Sequence, residues 1–286
     1  MKKIFFYSIL LSFVFLTFNC DKIDKPYITR EYKLDTPDFP ALTQVIQKYL
    51  LEDFTAHLCV NCPQAHVIAD ELKNEMGDTL VVMAIHTSGQ ARPQPSPYEA
   101  DYRTEIGDAI ATEFAVEGLP KGMISRKVFD GNRVMGRTQW KTNMAKVLRQ
   151  TPCMGIQILT SARCVDSINV FVKITSFIDI NRNLKLYIML TENGLVSAQK
   201  NNSSLIGSTP DILDYQHKHV LRTHIGPIEG SRVATQEVPF KKDESLIKGH
   251  TLYLKGKSWK LDKCDIIAYV IDEDTKEILQ VEEIGI

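Results

Sequence analysis

The sequence predicts an α/β domain followed by an all-β domain, and two observations lead to this fold class. Between residues 44 and 150, apolar runs of strand length alternate with segments in which apolar residues recur at helical spacing. From Thr151 onward the helical spacing stops, and short runs rich in Val, Ile, Tyr and Phe follow one another between turn residues. We therefore expect two domains, at residues 44–150 and 151–286.

The N-terminus predicts a secretion signal rather than folded structure. Two lysines precede an uncharged apolar run from Ile4 to Phe18, which is shorter than the ~20 residues that a membrane-spanning helix needs. The run ends just before Cys20, where lipoprotein signal peptides are cut and acylated. We expect residues 1–19 to be removed, Cys20 to carry acyl chains such as palmitate, and residues 20–43 to form a tether. Cleavage by the ordinary signal peptidase, which leaves Cys20 free, is the alternative.

The predicted elements of the first domain follow the order strand, helix, strand, helix, strand, strand, helix. A hairpin turn at Asp130-Gly131 separates the last two strands. In chain order, the elements are a strand at 48–54, a helix at 65–76, a strand at 80–85, a helix at 102–114, a strand at 123–128, a short strand near Val134 and a helix at 138–148.

The second domain is predicted as an antiparallel β-sandwich of about eight strands, because regularly spaced strands follow one another without helices. The strands are expected at 154–160, 168–174, 184–190, 218–222, 233–240, 250–254, 266–271 and 278–281. Asp272-Glu273-Asp274 falls between the last two and is expected to be a solvated turn rather than a calcium loop.

The motif Cys59-Val60-Asn61-Cys62-Pro63 is the strongest chemical signal. It lies between the first predicted strand and its helix, and Pro120 precedes the third strand. Thioredoxin-like domains carry their dithiol and their cis-proline at these two positions, so the first domain is predicted to be thioredoxin-like. Two cysteines three apart at a helix start can form a disulfide. The positive helix end and His57 could stabilise a Cys59 thiolate.

The residues beside the motif leave three alternatives for this pair. A residue before proline is disfavoured in the helical region, so we expect Cys62 to be the helix cap and Cys59 to lie beyond the helix end. Leu58 stands where thioredoxins have tryptophan, and Leu119 precedes Pro120. The alternatives are a redox-active dithiol with Cys59, Cys62 and Pro120 as its catalytic residues, a structural disulfide, and a metal site. A second ligand pair at zinc spacing is missing.

Three further cysteines follow in the second half of the chain. Cys153 and Cys164 are expected at opposite ends of one strand, too far apart for a disulfide. Cys264 begins a late strand and could reach either of them. The number of cysteines other than Cys20 is odd, so at least one is unpaired or paired with a partner.

Two histidines form the other candidate ligand pair. His217 and His219 alternate along a predicted strand, which would place both imidazoles on one face. This spacing predicts a minimal metal chelate, with hydrogen-bonded strand histidines as the favoured alternative because no third ligand is fixed by spacing.

The composition excludes other classes of function. The net charge is −1, which offers no basic field for nucleic acid. The sequence contains no nucleophile elbow, phosphate-binding glycine loop or paired-carboxylate arrangement. We therefore expect no nucleic-acid partner and no cofactor.

Several strings together resemble the twenty-eight-kilodalton outer-membrane lipoprotein family of Bacteroidota. The resemblance covers nearly the whole chain after the signal peptide. The strings that carry it are residues 51–55 with 59–63, Gly118-Leu119-Pro120, residues 191–196, residues 217–222 and residues 277–280.

The resemblance implies a thioredoxin-like domain followed by a β-sandwich, anchored in the outer membrane through Cys20 and facing the cell exterior. It also implies a surface receptor or adhesin whose partner is another protein or a host surface. An envelope thiol-disulfide oxidoreductase that uses Cys59 and Cys62 is the alternative function. We favour the binding protein, because fold alone does not imply an activity and the residues beside the dithiol depart from the redox pattern.

Overall fold

The computed structural model describes residues 35–42, 45–164 and 166–286. The predicted signal peptide, Cys20 and most of the tether lie outside the described residues. No helix in these ranges is both long and apolar enough to cross a membrane.

The described residues fold mostly as β-strands, with few helices. The α-helices are α1 (Cys62–Met76), α2 (Glu105–Glu113) and α3 (Trp140–Val147). The strands are β1 (Tyr49–Thr55), β2 (Leu80–His86), β3 (Lys121–Ile124), β4 (Met154–Cys164), β5 (Ser167–Ser176), β6 (Leu184–Glu192), β7 (Leu195–Lys200), β8 (Asp211–His217), β9 (Val220–His224), β10 (Ser231–Ala234), β11 (Ser245–Tyr253), β12 (Cys264–Asp272) and β13 (Ile278–Gly285).

The largest sheet in the described part of the chain is mixed and has eight strands. Its order is β13-β12-β6-β9-β2-β1-β3, and β10 pairs with β6 beside this path. Strands β1 and β2 run parallel, and β9 meets β2 in a parallel pairing of Ala84 with Val220. Strands from both predicted domains therefore share one sheet. The division into residues 44–150 and 151–286 stays a prediction.

Two smaller sheets complete the strand pairing. Strands β11, β5 and β4 form an antiparallel sheet in that order. Strands β7 and β8 pair with each other as a two-stranded antiparallel hairpin, joined by residues 201–210. We call this pair the β7–β8 hairpin.

Alternation along β2 explains how helices cover both faces of its sheet. Val81 and Met83 belong to the apolar core that includes α2, whereas Leu80 and Val82 belong to the core that includes α1 and α3. Trp140 of α3 is fully buried in the second core. A Cβ atom at Gly122 would lie 2.7 Å from the Trp140 ring, so the ring packs here only against glycine.

A third core lies between the sheet of β4 and β5 and the strands β6 and β12. Alternate residues of all four strands point into it, as expected when two β-sheets pack face to face. The contributing residues are Ile156, Ile158, Val170, Val172, Ile174, Leu184, Leu186, Ile188, Leu190, Ile266, Ala268 and Val270.

Turns with positive φ account for several differences from the predicted elements. The hairpin turn at Asp130-Gly131 is confirmed, since both residues have positive φ. The short strand near Val134 is reduced to an isolated bridge between Gly122 and Met135. The third strand was expected to reach residue 128, but it ends at Ile124 because Ser125 and Arg126, which follow, also have positive φ.

The strand expected at 218–222 is present, but it is shifted by two residues toward the C-terminus. Strand β8 ends at His217 and β9 begins at Val220, with His219 between them at a φ of 53°. Strand β10 ends at Ala234, well short of the predicted residue 240. The expected turn between β12 and β13 is confirmed for Glu273 and Asp274, whereas Asp272 is the buried last residue of β12.

Candidate functional site

The cysteine motif lies at the start of α1. The helix begins at Cys62, with Asn61 as its N-cap and Pro63 in its first turn. Proline is tolerated there because its missing N–H has no partner in the first turn of a helix. The prediction that Cys62 is the cap is therefore wrong by one residue. The prediction that Cys59 lies beyond the helix end is confirmed.

Cys59 and Cys62 form a disulfide whose two residues are buried. Their Cα atoms are 5.4 Å apart, and their exposed fractions are 3% and 0%. Ala56 and Ala91 belong to the same small apolar cluster, against which Leu119 packs. The Leu119–Pro120 peptide bond is cis, as the sequence predicted. The sulfur atoms are thus enclosed by apolar side chains rather than presented to solvent.

The β7–β8 hairpin and the residues after β7 cover the motif loop. The backbone N–H of Lys200 donates to the carbonyl oxygen of His57 over 2.8 Å. The N–H of Asn202 donates to the carbonyl oxygen of Val60 over 3.2 Å. These backbone bonds dock a segment from the second half of the chain onto the disulfide loop.

A buried glutamine strengthens the same contact. The side-chain amide of Gln199, which has no exposed surface, donates to the carbonyl oxygens of Ala56 at 3.2 Å and Cys59 at 3.1 Å. At the rim, the amide of Asn202 donates to the side-chain oxygen of Asn61 over 2.8 Å. No sequence pattern pointed to this cover, because its contacts join residues far apart in the chain.

His57 does not supply the positive charge expected of it. Burial lowers the pKa of His57 below its usual 6.5, so the ring is neutral at pH 7. The ring stacks on Tyr98 with centroids 5.7 Å apart, and its Nε2–H donates to the carbonyl oxygen of Arg92. His57 is therefore uncharged beside the disulfide, and its stabilisation of a Cys59 thiolate stays a prediction.

His217 and His219 do not share a strand face. His217 packs edge-on against the rings of Tyr215, Tyr102 and His86, and its Nε2 lies 2.9 Å from the hydroxyl of Ser197. His219 lies in the turn before β9. Burial lowers the pKa of His217 to about 3 and that of His219 to about 4.

In the described ranges, no three His, Cys, Asp or Glu side chains are grouped so as to hold a metal ion. Metal binding by His217 and His219 stays a prediction, without the shared face that motivated it.

The remaining cysteines are placed as the sequence predicted. Cys153 precedes β4 and Cys164 is its last residue, so they lie at opposite ends of one strand. Cys153 and Cys264 are both free thiols. Cys264 begins β12, and its thiol donates to the carbonyl oxygen of Lys260. Burial raises the pKa of Cys264 to about 12, which makes it a poor nucleophile.

The sequence reasoning missed a polar pocket beside α1. Asp53 of β1 and His66 of α1 line it, together with Tyr215 of β8. The signal was the two adjacent acidic residues Glu52 and Asp53 inside a run of strand length, because a buried strand rarely carries a carboxyl group without a reason. The run itself was assigned only to strand β1.

Comparisons with known proteins identify relatives of this chain. Residues 107–286, more than half of the chain, match the family described as outer membrane protein Omp28. No curated protein sequence matches.

Among the solved structures that match the chain, two come from the same organism. One is HBP35 of Porphyromonas gingivalis, with 15% identity and a TM-score of 0.57, covering 84% of this chain and 75% of the other. The second is a domain of the outer membrane lipoprotein Omp28 from the same organism, with 18% identity and a TM-score of 0.31, covering 48% of this chain and 90% of the other. The likeness to HBP35 is one of fold.

Proposed function

The chain belongs to the Omp28 family of outer membrane proteins, and on that premise we propose that it is a lipid-anchored surface protein that binds another macromolecule. In this proposal Cys20 carries the acyl chains, the folded part faces the cell exterior, and the protein acts as a receptor or adhesin. The partner is another protein or a host surface.

We further propose a thioredoxin-like unit followed by a β-sandwich as the scaffold. The first is supported by the order β1, α1, β2, α2, β3, α3, with the cysteine motif before α1 and Pro120 before β3. The second is supported by the common core of β4, β5, β6 and β12. The sandwich shares strands with the mixed sheet, so the two units would be rigidly coupled.

One observation favours a binding protein over an enzyme. The Cys59–Cys62 disulfide is buried, and the β7–β8 hairpin is hydrogen-bonded across its loop through Gln199 and Lys200. A catalytic thiol must reach a substrate disulfide, and reactive cysteines lie in partly exposed, electropositive surroundings. This pair lacks the exposure that such an attack needs, so we assign it a structural role.

The alternative is an envelope thiol-disulfide oxidoreductase, and the position of Cys62 at the first residue of α1 favours it. In that reaction the Cys59 thiolate attacks a substrate disulfide, and one substrate sulfur leaves as a thiolate. Cys62 then attacks Cys59 and releases the second substrate thiolate. The substrate disulfide is reduced while Cys59–Cys62 becomes oxidised.

An insulin-reduction assay separates the two functions. The full mature protein in detergent is assayed with dithiothreitol as the electron donor, beside the variants Cys59→Ser and Cys62→Ser. The proposal expects wild type to be no faster than either variant. A wild-type rate well above background that is lost in Cys59→Ser would establish the oxidoreductase instead.

A second experiment tests whether the protein faces the cell exterior and whether it takes part in adhesion. Intact cells are treated with a protease that does not cross the outer membrane, and the cleavage of this chain is followed. The proposal expects cleavage on intact cells, and it expects adhesion of the cells to drop when the gene is deleted. Protection on intact cells with cleavage after lysis would place the protein inside the envelope.

A further inference from the structure

A pocket of about 220 Å³ opens between α1, β2 and the β7–β8 hairpin, away from the disulfide loop. A single water molecule needs roughly 10–15 Å³ of cavity volume, so the pocket has room for a small organic molecule. One part of its wall is apolar and is formed by Val67, Ala69, Val82, Ala84 and Ile206. The rest of the lining is polar.

The inner end of the pocket holds a carboxyl group without a full set of partners. Asp53 is 1% exposed, and its Oδ1 is buried with no hydrogen-bond partner in the described part of the protein. Its Oδ2 lies 3.7 Å from Nε2 of His66. An unpartnered buried carboxyl group is costly, and a bound hydrogen-bond donor would remove that cost.

The neighbouring polar groups are already occupied. Nδ1 of His66 lies 2.7 Å from the Tyr215 hydroxyl, and its Nε2 lies 2.8 Å from Oγ1 of Thr55. Burial lowers the pKa of His66 to about 4, so the ring is neutral and carries no charge toward Asp53. The imidazole is therefore held by Thr55 and Tyr215, and it does not neutralise a carboxylate at Asp53.

The charged side chains at the mouth of the pocket pair with each other. Lys218 is the lysine among the lining residues, and its Nζ lies 2.6 Å from a carboxylate oxygen of Asp70. His66 and His219, the other basic side chains of the lining, are neutral. Once Lys218 and Asp70 are paired, a carboxylate at Asp53 would have no counter-charge among the lining residues.

We propose that this pocket binds a small primary amine, whose ammonium group pairs with Asp53 and whose apolar body lies against the apolar part of the wall. The inference does not depend on the surface-binding function proposed above. The ammonium ion supplies both the donor that Oδ1 lacks and the charge that the mouth residues do not provide.

Binding of an amine at this position should release a proton. Burial raises the pKa of Asp53 to about 8, so its carboxyl group is protonated in the empty pocket at pH 7. Pairing with the ammonium favours the carboxylate, so one proton passes from Asp53 to solvent as the amine binds. Other titratable groups near Asp53 could also change the number of protons released. These groups are His66, Tyr215 and His219, and all three stay neutral at pH 7.

The test is isothermal titration of the full mature protein with benzylamine at pH 7, in two buffers of different ionisation enthalpy. We expect saturable binding with release of about one proton per amine, as the raised pKa requires. Benzyl alcohol, which has the same shape without the charge, should bind at least tenfold more weakly. Equal affinity for the two probes, or no binding of benzylamine, would overturn the proposal.

Variants locate the site. Asp53→Asn should weaken benzylamine binding at least tenfold and abolish proton release, whereas Glu71→Gln, at an exposed position of α1 outside the pocket lining, should change the affinity less than twofold. Val67→Trp places a large side chain on the partly exposed rim, and it should block binding without touching the core if Asp53→Asn fails to fold. Unchanged affinity in a folded Asp53→Asn or in Val67→Trp would contradict the assignment.

Discussion

The side-chain amide of Gln199 donates a hydrogen bond to the carbonyl oxygen of Cys59 over 3.1 Å, although 140 positions separate the two residues in the chain. The same amide reaches the carbonyl oxygen of Ala56. One buried side chain of the β7–β8 hairpin thus holds the loop that contains the disulfide. The assignment of Cys59–Cys62 as a structural disulfide depends on this cover.

Removing the amide should therefore loosen the cover. Gln199→Ala leaves two buried carbonyl oxygens without this donor, and we expect the free energy of unfolding to fall by about 1–3 kcal/mol. The disulfide should also be reduced several times faster by dithiothreitol. Urea unfolding and thiol titration measure the two effects. Gln216→Ala, at an exposed position of β8, is the control, and an equal effect there would refute the role of Gln199.

A buried ion pair in the first half of the chain contacts the second half through Tyr269. Arg126 makes a bidentate contact with Glu52, at 2.7 Å and 3.0 Å, and the guanidinium lies over the rings of Phe114 and Tyr269. Both charged side chains are almost fully buried. The pair joins β1 to the segment that follows β3, and through Tyr269 it also contacts β12.

Breaking that pair should be costly. Glu52→Gln leaves the Arg126 guanidinium buried without its counter-charge, and we expect a loss of about 3–5 kcal/mol in the free energy of unfolding. Denaturant unfolding at neutral pH measures it. The exposed pair of Lys141 and Glu75 provides the comparison, since Lys141→Ala should leave the unfolding midpoint unchanged. Similar midpoints for the two variants would contradict the importance of burial.

The histidine ring at the end of β2 predicts a pH effect. His86 is buried, neither ring nitrogen has a hydrogen-bond partner in the described residues, and burial lowers its pKa well below 6.5. The unfolded chain therefore binds a proton that the folded chain does not, and stability is lost as the pH falls below about 6.5.

The variant His86→Phe removes this proton uptake while keeping a ring beside Tyr102 and His217. Between pH 8 and pH 5, wild type should lose about 2 kcal/mol more stability than the variant, since each pH unit below 6.5 is worth about 1.36 kcal/mol per proton. Unfolding curves at the two pH values measure the difference. Parallel losses in both proteins would show that His86 does not titrate on unfolding.

The anchor is tested at Cys20. Cys20→Ala removes the thiol to which the acyl chains are attached, so metabolic labelling with a fatty acid should disappear and the protein should leave the membrane fraction. Gel fluorography and fractionation report the result. Replacement of the free thiol Cys153 by Ala is the control and should change neither. Labelling that persists in Cys20→Ala would place the lipid elsewhere.

The sequence alone predicted β1, α1, β2, α2 and α3 within a few residues, because each has its own local periodicity and its own turn signals. It also placed Cys59 and Cys62 between β1 and α1. In contrast, β7 and β8 were missed. Their paired residues include exposed and polar side chains, and their position depends on docking against residues that are distant in sequence.

The site departs from prediction for similar reasons. His217 and His219 alternate as in a strand, but His219 takes a positive φ, a conformation that histidine adopts more readily than most residues. Alternation cannot reveal such a turn. Likewise, the surroundings of Asp53 depend on side chains from α1 and β8, so its pocket became visible only in the folded chain.

The reduction potential of Cys59–Cys62 tests the central claim most directly. The pair is equilibrated with glutathione buffers of defined ratio, and the reduced fraction is read after alkylation under denaturing conditions. A disulfide held beneath the β7–β8 hairpin should have a potential below about −300 mV, as structural disulfides do. A value between roughly −120 and −270 mV, the range of thiol catalysts, would contradict the structural assignment.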